Sequence, residues 1–554
     1  MSKKNLNWSY QIANTLYKKG VKYICLCPGS RNTPLTIAFT SNNNFICSSH
    51  VDERSAAYFA LGISKKTKAP SVIISTSGTA VANFFPAIIE SSLSKTPMIV
   101  ITADRPPELI NTGENQTINQ KHIYGEYTRG FHDLGLPTDN MDNMNKKIIS
   151  SYNHAIGTNN IPPGPSHINI PFDEPLIEKI HKNKLTNIIN PPINKLKSQT
   201  NDIDINYNFI DSIIICGGGI EGIPNNSIIE LSEHIKAPIF ADPTSGVRYN
   251  TIHENIISSY NLFIDYIDIN PKTIIKFGAK PISKTLSKLI SKHNNVIYID
   301  SYSTFNDNSK IQLSTNPDEY VKKIIKSTNP IENSLLLKSF IQIQTEISKL
   351  INNIDSEKNK YEGTLINQII NCIEPNSNIF IGNSKAIREL DNCTVNLDKK
   401  INILSNRGAS GIDGLVSTAL GISHSSENIN IAILGDLSFY YDMNGLLSTQ
   451  KNKLNTKFII LNNNGGGIFS DIHTLKLDGK KFEEFWTTSH NLDFKNISNL
   501  YNLKHHVIDN ISDIKKYLKD DGEVEIIEFK INIEDSLKVK KRIKNQVKTL
   551  ISNL

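Results

Sequence analysis

Two short apolar runs near the C-terminal end constrain the chain more than any other feature. Residues 431–436 read IAILGD and residues 457–464 read KFIILNNN. A continuous apolar run that stops at a polar residue marks a strand buried on both faces of a parallel sheet. Such a strand delivers its last residue to the C-terminal edge of the sheet, where open α/β folds bind ligands. Asp436 and Asn463, 27 positions apart, are therefore expected at the tips of neighbouring strands. Both offer hard oxygen atoms, which suit Mg2+ with a phosphate as its remaining partner. Gly465 to Gly467 follow, let backbone approach a ligand closely and leave a carbonyl free to coordinate. Alternatively, Asp436 caps a helix and NNNGGG is an ordinary loop.

A chain of 554 residues exceeds what one core fills, and three domains are expected, at 1–180, 205–330 and 360–554. The net charge of +6 is mild; it fits small anionic substrates and does not call for nucleic acid. Six scattered cysteines without a CxxC pair indicate a reducing compartment, with no disulfide framework and no zinc site. The first 20 residues lack a signal core, and nowhere do 18 apolar residues run together, so no membrane contact is expected. The expected location is the cytoplasm, or a plastid stroma if the gene is organellar. Arginine is scarce, with eight among the 60 basic residues. In a lysine-rich chain it is a candidate wherever a planar fork is required. Arg31, Arg105, Arg388 and Arg407 fall inside motifs, whereas Arg54, Arg129, Arg248 and Arg542 read as chance survivors.

The first unit opens with a strand at 21–27, a turn from Pro28 to Arg31 and a helix beginning at TPLTIAF. A strand, a glycine turn and a helix N-terminus make an anion site; Ser30 either serves it or caps the helix. Glu53 follows a second short strand and opens an amphipathic helix, where it complements the helix dipole or does chemistry. A later strand ends at Asp104-Arg105, and a polar loop carries Asn115 and Gln116. The period is β-α-β throughout, so doubly wound parallel sheets are expected, an α/β fold. Residues 177–207 read as a linker. In the central unit CGGGI does not meet the dinucleotide fingerprint and reads as a tight turn. Lys284, after FGAKPIS, is either a surface lysine or part of a site. Residues 330–360 read as a helical connector. In the third unit, strand tips at Ser384, Arg407, Asp436 and Asn463 are expected along one edge of one sheet.

Three α/β units, with a carboxylate in the first and GD…NN in the third, resemble the thiamine diphosphate (ThDP) decarboxylase and synthase superfamily. CPGSRNTPLTIAF, DERSAAYFALGI, TSGTAVANFFPAIIE, TADRPPEL, GNS, SNRGASGIDG and NNNGGGIF are similar to one family within it. That family is the 2-succinyl-5-enolpyruvyl-6-hydroxy-3-cyclohexene-1-carboxylate synthases of menaquinone and phylloquinone biosynthesis. The resemblance covers the first and third units nearly end to end and the middle one around Lys284. It implies a ThDP-binding fold and a transferase that uses ThDP with Mg2+ or Mn2+. Asp436, Asn463 and the Gly465 carbonyl would hold the metal. Glu53 would hydrogen-bond N1′ of the aminopyrimidine. Gly382, Ser384, Ser410, Gly411, Gly435, Leu437, Ser438 and Gly466 would line the cofactor, and Ile412 would support its bend. Ile468, Phe469 and Ile472 would wall the thiazolium.

The reaction implied is decarboxylation of 2-oxoglutarate, then 1,4-addition of the four-carbon unit to isochorismate. Both substrates are dianions. Arg31, Arg105, Lys284, Arg388 and Arg407 are the candidate cations, and Ser30, Asn115, Gln116 and Ser384 the neutral donors. Thr285 stands where some members carry a further arginine. A homodimer is the implied minimum, a homotetramer the next step, with Glu53 of one copy facing the metal side of another. Another ThDP-dependent 2-oxoacid decarboxylase or an acetolactate-synthase-like carboligase, or a non-enzymatic nucleotide-binding protein, are the alternatives.

Overall fold

Each apolar run becomes a buried strand, and the strands collect into three six-stranded sheets. The computed structural model describes residues 2–157, 161–177, 207–220, 222–302, 307–354, 361–471 and 479–554. The expected linker therefore lies almost wholly outside the described residues. The first sheet holds β1 (Tyr23–Leu26), β2 (Ile46–Ser49), β3 (Ser71–Ser75), β4 (Met98–Asp104), β5 (Gly130–Asp133) and β6 (Pro165–Pro171). The central sheet holds β7 (Ile213–Cys216), β8 (Ile239–Ala241), β9 (Ile256–Ile257), β10 (Ile274–Phe277), β11 (Val296–Asp300) and β12 (Ile311–Ser314). The third holds β13 (Asn378–Ile381), β14 (Asn402–Leu404), β15 (Asn430–Gly435), β16 (Thr456–Asn462), β17 (Lys504–Val507) and β18 (Val524–Lys530). Among the described residues every pairing between these strands is parallel.

The first sheet runs β2-β1-β3-β4-β6-β5 and the third β14-β13-β15-β16-β18-β17, which is the same winding. Strand order reverses between β1 and β3 in one and between β13 and β15 in the other, and such a reversal opens a crevice at the strand tips. The central sheet, β12-β11-β10-β7-β8-β9, reverses between β7 and β10. There the crevice is closed by backbone. Ala279 N donates to the Gly218 carbonyl at 2.8 Å, and a Cβ on Gly217 would fall 1.8 Å from the Ala279 oxygen. The CGGGI glycines thus serve close backbone approach, as a tight turn requires.

Five helices position the site: α1 (Glu53–Thr67), α2 (Phe85–Leu93), α3 (Lys385–Cys393), α4 (Leu415–His424) and α5 (Asp436–Tyr441). Helices α1 and α4 cross at bare backbone. A Cβ on Gly62 would lie 2.1 Å from the Thr418 carbonyl oxygen, and one on Gly421 would lie 2.0 Å from that of Phe59. Crossing distance follows the size of the side chains at the contact, so these two glycines draw the first and third sheets onto one core. Ala56, Phe59, Phe84 and Val100 pack there with Leu420, Phe439 and Phe458.

Three arginines expected to be accidental are instead structural. Arg248 is wholly buried, donating to the Ala241 carbonyl at 2.8 Å and to Asp391 Oδ1 at 2.6 Å, which joins the central sheet to α3. Arg129 donates to the carbonyls of Ser92, Pro162 and Pro163. Arg54 reaches the Tyr441 carbonyl and lies over the Tyr441 ring at 4.9 Å. Arg248 and Arg129 use a fork that lysine lacks, and Arg54 a flat guanidinium that lies over a ring.

Candidate active site

The tips of β15 and β16 meet as expected, with Gly435 in register with Leu461. Asp436 opens α5 and is almost wholly buried. Its Oδ1 accepts the Leu437 N–H at 2.7 Å. Its Oδ2 accepts the Gly465 N–H at 2.8 Å and faces His490 Nε2 at 3.2 Å. Opening α5 and holding the Gly465 loop are therefore done by one carboxylate. Asn463 turns Nδ2 toward Glu362 Oε1 at 3.5 Å, while its Oδ1 is buried without a hydrogen-bond partner among the described residues. A buried acceptor left unpaired costs about 1–3 kcal/mol, so this oxygen marks a place that wants a cation or donor. Glu362 is held in turn by Lys385 at 2.6 Å and by the Ser536 hydroxyl.

Around this pair there is room for a ligand. Among the described residues, its two chain neighbours apart, no heavy atom lies within 4 Å of a Cβ built on Gly435. Gly465 has φ +138°, and a Cβ there would strike the Thr487 carbonyl at 2.2 Å. The Gly465 carbonyl accepts the Gly467 N–H at 2.9 Å and keeps one lone pair. Gly466 is buried against the Phe469 ring, Ser438 is buried, and Ile468 is half-buried. Ile472 lies outside the described residues.

Along the same edge, Gly382 follows β13 and leads into Asn383 and Ser384. Ser384, Ser410 and Asn464 hold φ of +68°, +63° and +60°. Residues with a Cβ rarely adopt such angles, and the same region is also used elsewhere in the chain, at Lys68, Asp211 and Asn376 among others. Asn383 ties two loops together, donating to the carbonyls of Asn406 at 2.9 Å and Gly411 at 2.7 Å and accepting from Arg407 at 3.2 Å. Ile412 leaves 38% of its surface exposed, an apolar side chain presented to open space. From the first domain, Glu90 on α2 accepts the N–H groups of Gly408 at 3.0 Å and Ala409 at 2.7 Å. Buried Lys65 balances it at 3.4 Å.

Arg388 donates to the Ser384 carbonyl at 2.6 Å. Burial, and then the neighbouring Arg388 charge, lower the pKa of Arg407. Two guanidinium groups held together in a partly dry place attract an anion. Asp242 at the tip of β8 acts on Arg407 from the central domain and accepts the Ile282 N–H at 2.9 Å. Lys284, exposed at the start of its helix, is two residues further on.

The first-domain candidates line the edge of the other sheet. Asp52, not Glu53, caps α1, through the Ser55 N–H at 3.1 Å. Among the described residues Glu53 makes no hydrogen bond or ion pair, and Val51, Tyr440 and Tyr441 are exposed nearby. Ser30 is exposed, and the helix after it starts at Thr33 behind Asn32, so the Ser30 side chain is no cap. Arg31 is buried and turned inward, donating to the Phe172 carbonyl at 2.8 Å and Glu174 at 3.0 Å. Arg105 has a buried Nε with no partner among the described residues. Gln116, at φ +54°, donates to the Ser77 carbonyl at 3.0 Å beside exposed Asn115. Among the described residues, no hydrogen bond or ion pair joins this group to Ser384, Arg388, Arg407, Asp436 or Asn463.

Residues 6–123 match the thiamine pyrophosphate enzyme N-terminal TPP binding domain, and residues 393–524 match the C-terminal TPP binding domain. Over 521 residues the chain is 34% identical to the 2-succinyl-5-enolpyruvyl-6-hydroxy-3-cyclohexene-1-carboxylate synthase of Desulfitobacterium hafniense, covering 90% of this chain and 92% of that one. The synthase of the same name from Geobacillus kaustophilus is 30% identical, over 97% of this chain and 96% of its own length. The chain belongs to this synthase family. Thiamine diphosphate is accordingly its cofactor. Within the synthase frame, Asn383, Glu90, Glu362 and His490 are the residues that reading the sequence passed over. Asn383 and Glu90 sit inside quoted motifs, so a closer look at GNS and at the end of AIIE would have found them. Glu362 and His490 carry no local signal.

Proposed function

We infer that the chain decarboxylates 2-oxoglutarate and adds the remaining four-carbon unit to isochorismate, giving 2-succinyl-5-enolpyruvyl-6-hydroxy-3-cyclohexene-1-carboxylate and CO2. The observation that carries this is the Arg388–Arg407 pair on the same sheet edge as the unpaired Asn463 oxygen. Asp436, Asn463 and the remaining lone pair of Gly465 would hold Mg2+ or Mn2+, a hard-oxygen set suited to either. Bound ThDP supplies an electron sink for the decarboxylated carbon. Glu53 would hold the proton at N1′ of the aminopyrimidine. Ile412 would support the cofactor, and Ile468 and Phe469 would keep water from it. Arg388 and Arg407, with Arg105 and Lys284, bind substrate carboxylates, and Ser384 donates beside them. Arg31 joins them only by giving up Glu174.

The working unit is a homodimer or a pair of dimers in the cytoplasm, its chains divided at 1–180, 205–330 and 360–554. Glu53 lacks a partner within its own chain among the described residues, and the exposed Val51 and Tyr441 beside it suit burial by a second copy. Mass analysis after supplying both substrates tests the reaction. The adduct is expected; CO2 released without it would instead mean a simple decarboxylase. Arg407→Lys keeps the charge but loses the fork. A charge-assisted bond of about 1.5–3 kcal/mol is at stake, so kcat/KM should fall roughly 10- to 100-fold. Parent-like kinetics would remove Arg407 from substrate binding.

A further inference from the structure

We propose that His490 is a positioning residue for Asp436, fixing the carboxylate so that its one unused lone pair faces the metal. This rests on the assignment of Asp436 as a metal ligand. The ring tautomer follows from its partners. Nδ1 accepts the Leu492 N–H at 2.9 Å, so in the neutral ring the proton sits on Nε2, which faces Asp436 Oδ2 at 3.2 Å. A carboxylate offers about four lone-pair positions. Leu437 takes one on Oδ1, and Gly465 and His490 take both on Oδ2. One remains, on Oδ1. Remove His490 and a second becomes vacant, so the carboxylate no longer has a single outward direction.

The ring itself is held still. It stacks on Phe494, with centroids 5.7 Å apart at 20°, and Phe494 packs edge-on against Phe439 at 5.6 Å. Phe439 belongs to α5, the helix that Asp436 opens. His490 thus leaves Asp436 and returns to it through two aromatic rings. Its loop is also fastened to the other ligand strand. Asn464 and Asn491 exchange hydrogen bonds of 2.8 and 2.9 Å, and the Thr487 carbonyl accepts the Gly466 N–H at 2.6 Å. The stretch from Thr487 to Leu492 therefore sets how Asp436 stands relative to Asn463.

The test is Mn2+ binding by the full chain with ThDP and no substrate, followed by electron paramagnetic resonance. Losing a partner behind a metal ligand typically costs 10–100-fold in affinity, so His490→Ala should weaken Mn2+ by about that factor. His490→Gln, whose amide nitrogen reaches the Nε2 position, should stay within about threefold of the parent. His490→Asn puts its donor at the Nδ1 position instead and should behave as the alanine variant does. The Gln–Asn pair carries the test if His490→Ala fails to fold. Parent-like affinity in His490→Ala or His490→Asn, or equal weakening in His490→Gln, overturns the proposal. Asp436→Ala is the control. Undiminished Mn2+ binding there overturns the metal assignment itself, a failure distinct from that of His490.

Discussion

Glu53→Gln should lower turnover by about 10²- to 10⁴-fold, the usual share of a positioned proton-transfer group, while ThDP binds with parent affinity. The amide keeps the size of the side chain and loses only the ability to hold the N1′ proton. Folding is not at risk, because Asp52 caps α1. Calorimetric titration with ThDP and Mg2+ measures binding, and CO2 release from 2-oxoglutarate measures turnover. Unchanged turnover would remove Glu53 from the chemistry. Loss of ThDP binding would make it a plain binding group.

Glu90→Ala should cost about 3–5 kcal/mol of stability, the range for breaking a buried ion pair by deleting one partner. Lys65 would be left charged in the core, and the Gly408 and Ala409 N–H groups would lose their acceptor. That acceptor, with the Tyr58–Asp413 and Lys65–Ser405 hydrogen bonds, binds the loop carrying Arg407, Gly411 and Ile412 to the first domain. The denaturation midpoint should fall, and substrate affinity should fall with it. A loss below about 1 kcal/mol would mean that the loop holds its shape without Glu90.

The third sheet was the most legible part of the chain. Its inner strands β13, β15 and β16 are buried and largely apolar, so they stand out in one dimension, and the residues that follow them are polar. Ser384, Arg407, Asp436 and Asn463 follow from that contrast. What was hidden depends on partners distant in sequence. His490 looks like any loop histidine until the fold brings it to Asp436. Gly62 and Gly421 look like helix-weakening residues until α1 meets α4. The inward turn of Arg31 depends on Phe172, whose carbonyl is supplied by the end of another strand. Arg248 was misjudged because a lone arginine carries no pattern, while its purpose lies in Asp391 on a different domain. The common winding of the first and third sheets was equally invisible, since β-α-β period specifies alternation and not strand order.

The crossing of α1 and α4 has a bearing on biosynthesis. The polypeptide leaves the ribosome with Phe59 and its neighbours ready and the Leu420 side of their packing still untranslated. At about 5–20 residues per second the wait is on the order of tens of seconds. Throughout it, a greasy stripe near the amino end stands bare beside a nascent tether. Molecular chaperones would protect the newborn protein during that interval.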